Sequence, residues 1–325
     1  MSPVDPDDPI AAFMFLTDPP EHTRLRRQVS RAFTERRIAG LREYATSTAQ
    51  DLVRSMLAVG DGADLQSAFA YPLPIAVISE LLGIPDAGRD KFRRWADIVL
   101  RSAGLPDDEV YTGFEELRRF VIDVVDAKPD GADLLSQLVV DSGEGDGLSR
   151  AEINAMALGL LMAGYITTAH AITTGVVRLM LRRDFFTGLT ERTVDPAAVV
   201  EELLRCQDEE IGIQRIAQRD VEFRGALIKH GDTIVVSRVG ANRDPDVFGQ
   251  GDQVRPGGDN GRAHLTFGFG PHHCLGAALA RMELTVALVT LATMLPTLEL
   301  AAPLTEIGWQ SDGMDISLRS LPVRW

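Results

Sequence analysis

Two cysteines occur in the 325 residues, Cys206 and Cys274, and the second stands where it can do chemistry. Residues 267–276 read Phe267-Gly268-Phe269-Gly270-Pro271-His272-His273-Cys274-Leu275-Gly276, and a helical run follows from Ala277. A helix N-terminus carries partial positive charge and unpaired N–H groups, which favour a thiolate over a thiol. Glycines let the backbone approach a flat ligand closely. A thiolate held in this way is a soft axial ligand for haem iron and promotes O–O cleavage. Taken alone, a free cysteine is more often a small buried hydrophobe.

Helices must position this loop. Helical signals dominate the first two thirds of the chain. Asp18-Pro19-Pro20-Glu21 reads as a helix start, with Asp18 as N-cap and proline at the first position. Further helical runs are expected near 35–58, 72–82, 87–103, 109–126 and 132–140. Ser149-Arg150-Ala151-Glu152 is a capping box that opens a long apolar helix ending near Leu181. Another helix is expected over about 195–206. Val221-Glu222-Phe223 and Thr233-Ile234-Val235-Val236 carry strand signals. A short strand pair is expected around Met314–Leu318 and Val323. The stretch 239–266 reads as loop.

The ten-residue loop resembles the cysteine-ligand loop of the cytochrome P-450 superfamily, F-G-x-G-x-H-x-C-x-G, at all six defined positions. The resemblance runs from about Met14 to Trp325. It implies a mainly α fold with a small β region, binding haem b through Cys274, with Phe267, Gly268 and Gly276 in the cofactor loop. Glu202-Leu203-Leu204-Arg205 resembles the family's E-x-x-R pair, which is buried and braces that loop. Residues three apart share a helix face, though alone such a pair is an ordinary surface contact. His22 and Arg26 resemble the propionate-facing pair, and Arg215 and His272 match two further propionate ligands. Paired basic donors are what a carboxylate needs.

Ala163-Gly164-Tyr165-Ile166-Thr167-Thr168 matches the oxygen-activating segment A-G-x-[D/E]-T-T, in which the helix is locally opened. Ala163 and Gly164 then face the cofactor and Thr167 assists oxygen activation. Ile166 replaces the acid and cannot move a proton. Water, Tyr165 or a substrate group then substitutes, or the site uses peroxide or favours radical coupling over oxygen insertion. Gln253 stands where an arginine normally joins Glu202 and Arg205. Asp208-Glu209-Glu210 replaces a segment that is usually apolar; facing the haem, these carboxylates imply a polar or cationic substrate. Only 17 residues precede Asp18, so the chain divides into a flexible N-terminus, 1–17, and a haem domain, 18–325. The fold is expected to lack its N-terminal portion.

Composition narrows the partners. The 47 acidic and 33 basic residues leave a net charge of −14, which argues against nucleic acid. The N-terminus has no basic n-region and no apolar h-region. The uncharged run from Ala155 to Val177 is long enough for a membrane span, but its Gly, Thr, Tyr165 and His170 suit a buried central helix. Two cysteines make no disulfide framework, which fits a cytoplasmic protein. The expected function is haem-thiolate oxidation of a small, specialised-metabolite-type molecule, with electrons from an external ferredoxin or flavoprotein. Arg24 and Arg27 are expected to face outward as the docking charges. The alternatives are a peroxide-using variant and a non-catalytic scaffold for a partner enzyme.

Overall fold

The computed structural model describes residues 13–85, 106–128, 131–142, 146–207, 212–258, 261–311 and 316–325, with isolated helical positions from 88 to 98. Asp208-Glu209-Glu210, most of 87–103 and Met314 lie outside the described residues. The long apolar helix is observed as Arg150–Leu181 (α6) and forms the centre of the fold. The Ser149 side chain accepts from the Glu152 N–H at 3.3 Å, and the Glu152 carboxylate accepts from the Ser149 N–H at 2.7 Å. This reciprocal cap satisfies two N–H groups at the helix start. From Ile153 to Leu179 its buried residues fall all around the axis. That pattern belongs to a helix surrounded by others.

Against α6 pack Pro72–Leu82 (α3), Asp107–Asp126 (α4), Leu134–Val140 (α5), Arg183–Glu191 (α7) and Pro196–Arg205 (α8), while Glu21–Ser30 (α1) packs on α5 and Glu35–Val59 (α2) on α3. Ala277–Met294 forms a second apolar helix, numbered α11 in chain order, which packs on α2, α6, α7 and α8. Both α6 and α11 are long and apolar enough to cross a membrane, and both lie packed inside the fold. One continuous apolar core runs from Phe13 to Val323.

Three expectations are corrected. First, α1 begins at Glu21, with Pro20 at its N-cap and no side-chain cap. Pro19 and Pro20 have no N–H for Asp18 to accept, and the His22 N–H goes to the Asp18 carbonyl at 3.1 Å. Second, residues 13–17 are not a flexible arm. Met14–Leu16 makes a 3₁₀ turn, and Phe13 is buried. Residues 1–12 lie outside the described residues. Third, the C-terminal strands do not pair with each other. Ile316–Leu318 (β8) pairs with Trp309–Ser311 (β7). Pro322–Arg324 (β9) instead lies between Gly62–Asp64 (β1) and Glu299–Leu300 (β6) in an antiparallel sheet.

The expected strands at 221–223 (β3) and 233–236 (β5) are present. Val221–Phe223 forms a hairpin with Ala226–Ile228 (β4). Its two turn residues, Arg224 and Gly225, have φ of 49° and 81°, the left-handed pair that a tight hairpin requires. Thr233–Val236 pairs with Ile213–Ile216 (β2), and that pairing sets Arg215 opposite Ile234. The stretch expected as loop holds two short helices, Arg238–Ala241 (α9) and Pro245–Phe248 (α10), each started by a side-chain cap from Ser237 or Asp244.

Candidate functional site

The cysteine loop is a set of turns closed by its own backbone. The Cys274 N–H donates to the Phe267 carbonyl at 2.8 Å, and the His273 N–H to the Gly270 carbonyl at 3.0 Å. Gly268 and Gly270 have φ of 72° and 74°, which residues with a Cβ rarely adopt. The loop ends at Gly276, the N-cap of α11. Cys274 opens into a cavity of about 570 Å³ that Phe267, Leu275 and Gly276 also line. That volume suits a small-molecule site. Gly268 shapes the turn and does not line the cavity.

The electrostatics at Cys274 differ from the expectation. Its thiol is accessible from the cavity, yet protein packs densely around it, and burial pushes its pKa up. The Gly276 N–H and the charges of Arg26, Arg238 and Arg281 act in the opposite direction. Desolvation outweighs the helix terminus here, and a metal cation bound at the sulfur would favour the thiolate.

His22, Arg26, Arg215 and His272 all line this cavity. The His22 and His272 rings lie 4.1 Å apart, centroid to centroid. Arg26 donates to the His273 carbonyl at 2.6 Å, and Arg215 to the Gln214 carbonyl at 2.9 Å. His22 is 2 % exposed, and its Nδ1 is buried without a hydrogen-bond partner. Burial lowers its pKa, and His272 and Arg26 lower it further. A neutral imidazole with an unsatisfied nitrogen beside other basic groups is a poor arrangement by itself. A carboxylate placed there accepts from the donors and removes the mutual repulsion. The donor set therefore fits the propionate edge of a haem.

A third cavity arginine, Arg238 of α9, was not singled out in the sequence. It donates to the Thr266 carbonyl at 2.8 Å, just before the loop. Its signal is a basic residue directly after the β5 run and Ser237.

Two buried carboxylates on α8 brace the loop from behind. Glu202 and Arg205 form the expected pair, both nearly inaccessible, at 2.7 and 2.8 Å. Gln253 takes part through its backbone: Arg205 donates to the carbonyls of Asn242, Gly251 and Gln253 at 2.7–2.8 Å. Glu201 was not anticipated. It accepts from Arg281 at 2.6 Å and meets His264 at 2.9 Å. These partners outweigh burial and hold its pKa down at about 2. Arg281 also lies over the Phe267 ring at 4.5 Å. The contacts span 63 and 80 residues, so no local spacing announces them.

Opposite the loop, α6 presents Ala163, Gly164, Thr167, Thr168, His170 and Ala171 to the cavity. The Thr167 hydroxyl donates to the Ala163 carbonyl at 2.8 Å. The helix runs unbroken here from Arg150 to Leu181, unlike the local opening that the resemblance implied. Gly164 also allows α3 to approach: a Cβ there would stand 3.0 Å from the Ile78 side chain. Ile166 packs on the core and does not line the cavity. Tyr165 is buried against Tyr71 and Phe92, at 5.5 and 5.8 Å between ring centroids, so it does not replace the missing acid.

Arg24 and Arg27 each carry an ion pair, and the Arg27 side chain faces outward as expected. Arg24 pairs with Glu21 and with Glu152 of α6. Arg27 pairs with Asp146 at 2.5 Å.

A helical fold with an open cysteine loop at a helix start, a buried Glu–Arg brace and a basic carboxylate clamp defines a haem-thiolate oxygenase class. The cytochrome P-450 family pattern matches residues 197–324. Mycinamicin IV hydroxylase/epoxidase of Micromonospora griseorubida is 41% identical over 316 residues, spanning 95% of this chain and 78% of that protein. The cytochrome P-450 monooxygenase PikC of Streptomyces venezuelae is 39% identical over 319 residues, spanning 96% and 76%. The solved structure of LnmA, a hydroxylase from the leinamycin biosynthetic pathway of Streptomyces atroolivaceus, superposes with a TM-score of 0.90 at 35% identity, covering 97% of this chain and 82% of its own. The chain belongs to the cytochrome P-450 family. It is a haem-thiolate monooxygenase of the bacterial specialised-metabolite type.

Proposed function

We propose that the chain binds one haem b through Cys274, with the propionates held by His22, Arg26, Arg215 and His272, and oxygenates a small organic molecule. The observation that carries this reading is the buried, unpartnered Nδ1 of His22 beside a cavity into which Cys274 opens. Bound through a thiolate, haem supplies activation of dioxygen with electrons from outside the protein. The chain's own residues do the rest. Glu202, Arg205 and Glu201 hold the loop, Ala163 and Gly164 form a wall of small residues, and Thr167 offers a hydroxyl to the cavity. Phe13, Met14, Phe15 and Phe33 supply apolar lining, which suits a largely hydrophobic substrate. The relatives' reactions support a substrate of the specialised-metabolite kind. A ferredoxin or flavoprotein is the expected electron donor, and two free cysteines fit a reducing cytoplasm.

The test is the reduced, CO-bound absorbance spectrum of the purified protein and of Cys274→Ala. The parent is expected to show the thiolate-type band and the variant to lack it. A thiolate-type band that persists in the variant contradicts the ligand assignment.

A further inference from the structure

The two glutamates of α8 face different ways. Successive residues of a helix stand about 100° apart around its axis. Glu202 turns to Arg205, which carries on to the carbonyls of Asn242, Gly251 and Gln253. Glu201 turns toward the cysteine loop. Its carboxylate accepts from Arg281 Nε at 2.6 Å and from Arg281 Nη2 at 3.1 Å. His264 completes the cluster. Its Nδ1 accepts the Thr266 N–H at 3.3 Å, so its Nε2 holds the hydrogen and donates to Glu201 at 2.9 Å.

Arg281 lies in the second turn of α11, and helical side chains lean toward the helix N-terminus. Its guanidinium therefore reaches back over the loop and lies 4.5 Å from the centroid of the Phe267 ring. The Phe267 carbonyl in turn accepts the Cys274 N–H at 2.8 Å. With Arg26 and Arg238, the charge of Arg281 favours the thiolate at Cys274. Those two arginines line the cavity, whereas Arg281 stands behind the loop. Its side chain is 32% exposed and that of Glu201 only 7%. Two opposite charges held so far from water act more strongly on their surroundings than exposed ones. Glu202 and Arg205 already brace the backbone, so bracing does not account for a second charged pair facing Phe267.

We infer that Arg281, held by Glu201 over the Phe267 ring, is a positioning residue that sets how readily a haem bound at Cys274 accepts an electron. The inference rests on the functional reading above. In the step, one electron leaves the external ferredoxin or flavoprotein and enters the haem. The donor is oxidised, the iron is reduced from ferric to ferrous, and no covalent bond forms or breaks. The haem gains one negative charge. A cation behind the sulfur favours that state and an anion opposes it. Arg281 and Glu201 therefore act with opposite signs, each offsetting part of the other.

Spectroscopic redox titration of the haem-loaded parent and variants at low salt tests it. Arg281→Gln leaves Glu201 unbalanced, and the ferrous-to-ferric ratio at a fixed potential should fall about five-fold. Glu201→Gln leaves Arg281 unbalanced, and the ratio should rise. Arg281→Lys keeps the charge and should restore most of the parent ratio. A purely structural pair would loosen the loop in both glutamine variants, so shifts of one sign, or none, overturn the inference. Should variants at one of the two positions hold no haem, the sign at the other decides. Loss of the thiolate-type CO band from all three variants overturns it in favour of a brace, leaving the functional reading intact. A parent without that band overturns both.

Discussion

The guanidinium of Arg205 meets both carboxylate oxygens of Glu202, at 2.7 and 2.8 Å, and its remaining donors reach three backbone carbonyls. Glu202 also accepts the backbone N–H of Arg255 at 2.6 Å. The pair thus ties α8 to the segment 242–255 that precedes the cysteine loop. A buried ion pair is tolerated when its hydrogen-bonding capacity is filled in this way.

Removing one partner strands the other. Glu202→Ala should destabilise the haem-free protein by about 3–5 kcal/mol, a large share of a typical total of about 5–15 kcal/mol. Denaturant unfolding of parent and variant measures it. A loss under 1 kcal/mol would mean that the pair behaves as an exposed one.

Glu201 predicts the acid limb of the stability curve. Its folded pKa of about 2 lies below the ordinary 4.5. The stabilisation it provides is therefore complete above about pH 4.5 and disappears as the pH falls toward 2. Melting temperatures measured from pH 7 down to 3 should drop less steeply in Glu201→Gln than in the parent. Parallel curves would show that His264 and Arg281 do not hold this carboxylate.

His22 acts in a higher window. Burial, His272 and Arg26 lower its pKa from 6.5, so its contribution is complete above about pH 6.5 and is lost as the pH falls through the folded value. In haem-free protein, His22→Phe should flatten the fall in stability on the acid side of pH 6.5, while haem is released faster from the loaded protein. The first effect is read by thermal melts at several pH values, the second by transfer of haem to an apoprotein acceptor.

Arg24 anchors α1 to α6 through its ion pair with Glu152. A double-mutant cycle over Arg24→Gln and Glu152→Gln should return a coupling of about 0.2–1 kcal/mol, the range for a partly exposed pair. Arg24→Gln should leave the rate of reduction by an acidic ferredoxin at low salt near that of the parent. A slowing that disappears as salt rises would restore Arg24 as a docking charge.

Much of the site was legible because its signals are local. The glycines and Cys274 lie within ten residues, Glu202 and Arg205 one helical turn apart, and His22 and Arg26 on one face of α1. Ser149 and Glu152 marked the start of α6 through a reciprocal cap that acts over three residues. Spacing of this kind survives in the sequence because hydrogen-bond geometry and helical period link near neighbours directly.

Tertiary structure decided the rest, since packing joins residues with no shared local rule. Glu201 meets His264 and Arg281 across 63 and 80 residues. Arg24 finds Glu152 across 128. Pro322–Arg324 chose β1 and β6 over the nearer strand β8. Glu283 carried a faint sign, one acid within the apolar run of α11. Only the folded chain turns that face toward the cavity, where burial raises the carboxyl's pKa well above the usual carboxylate range.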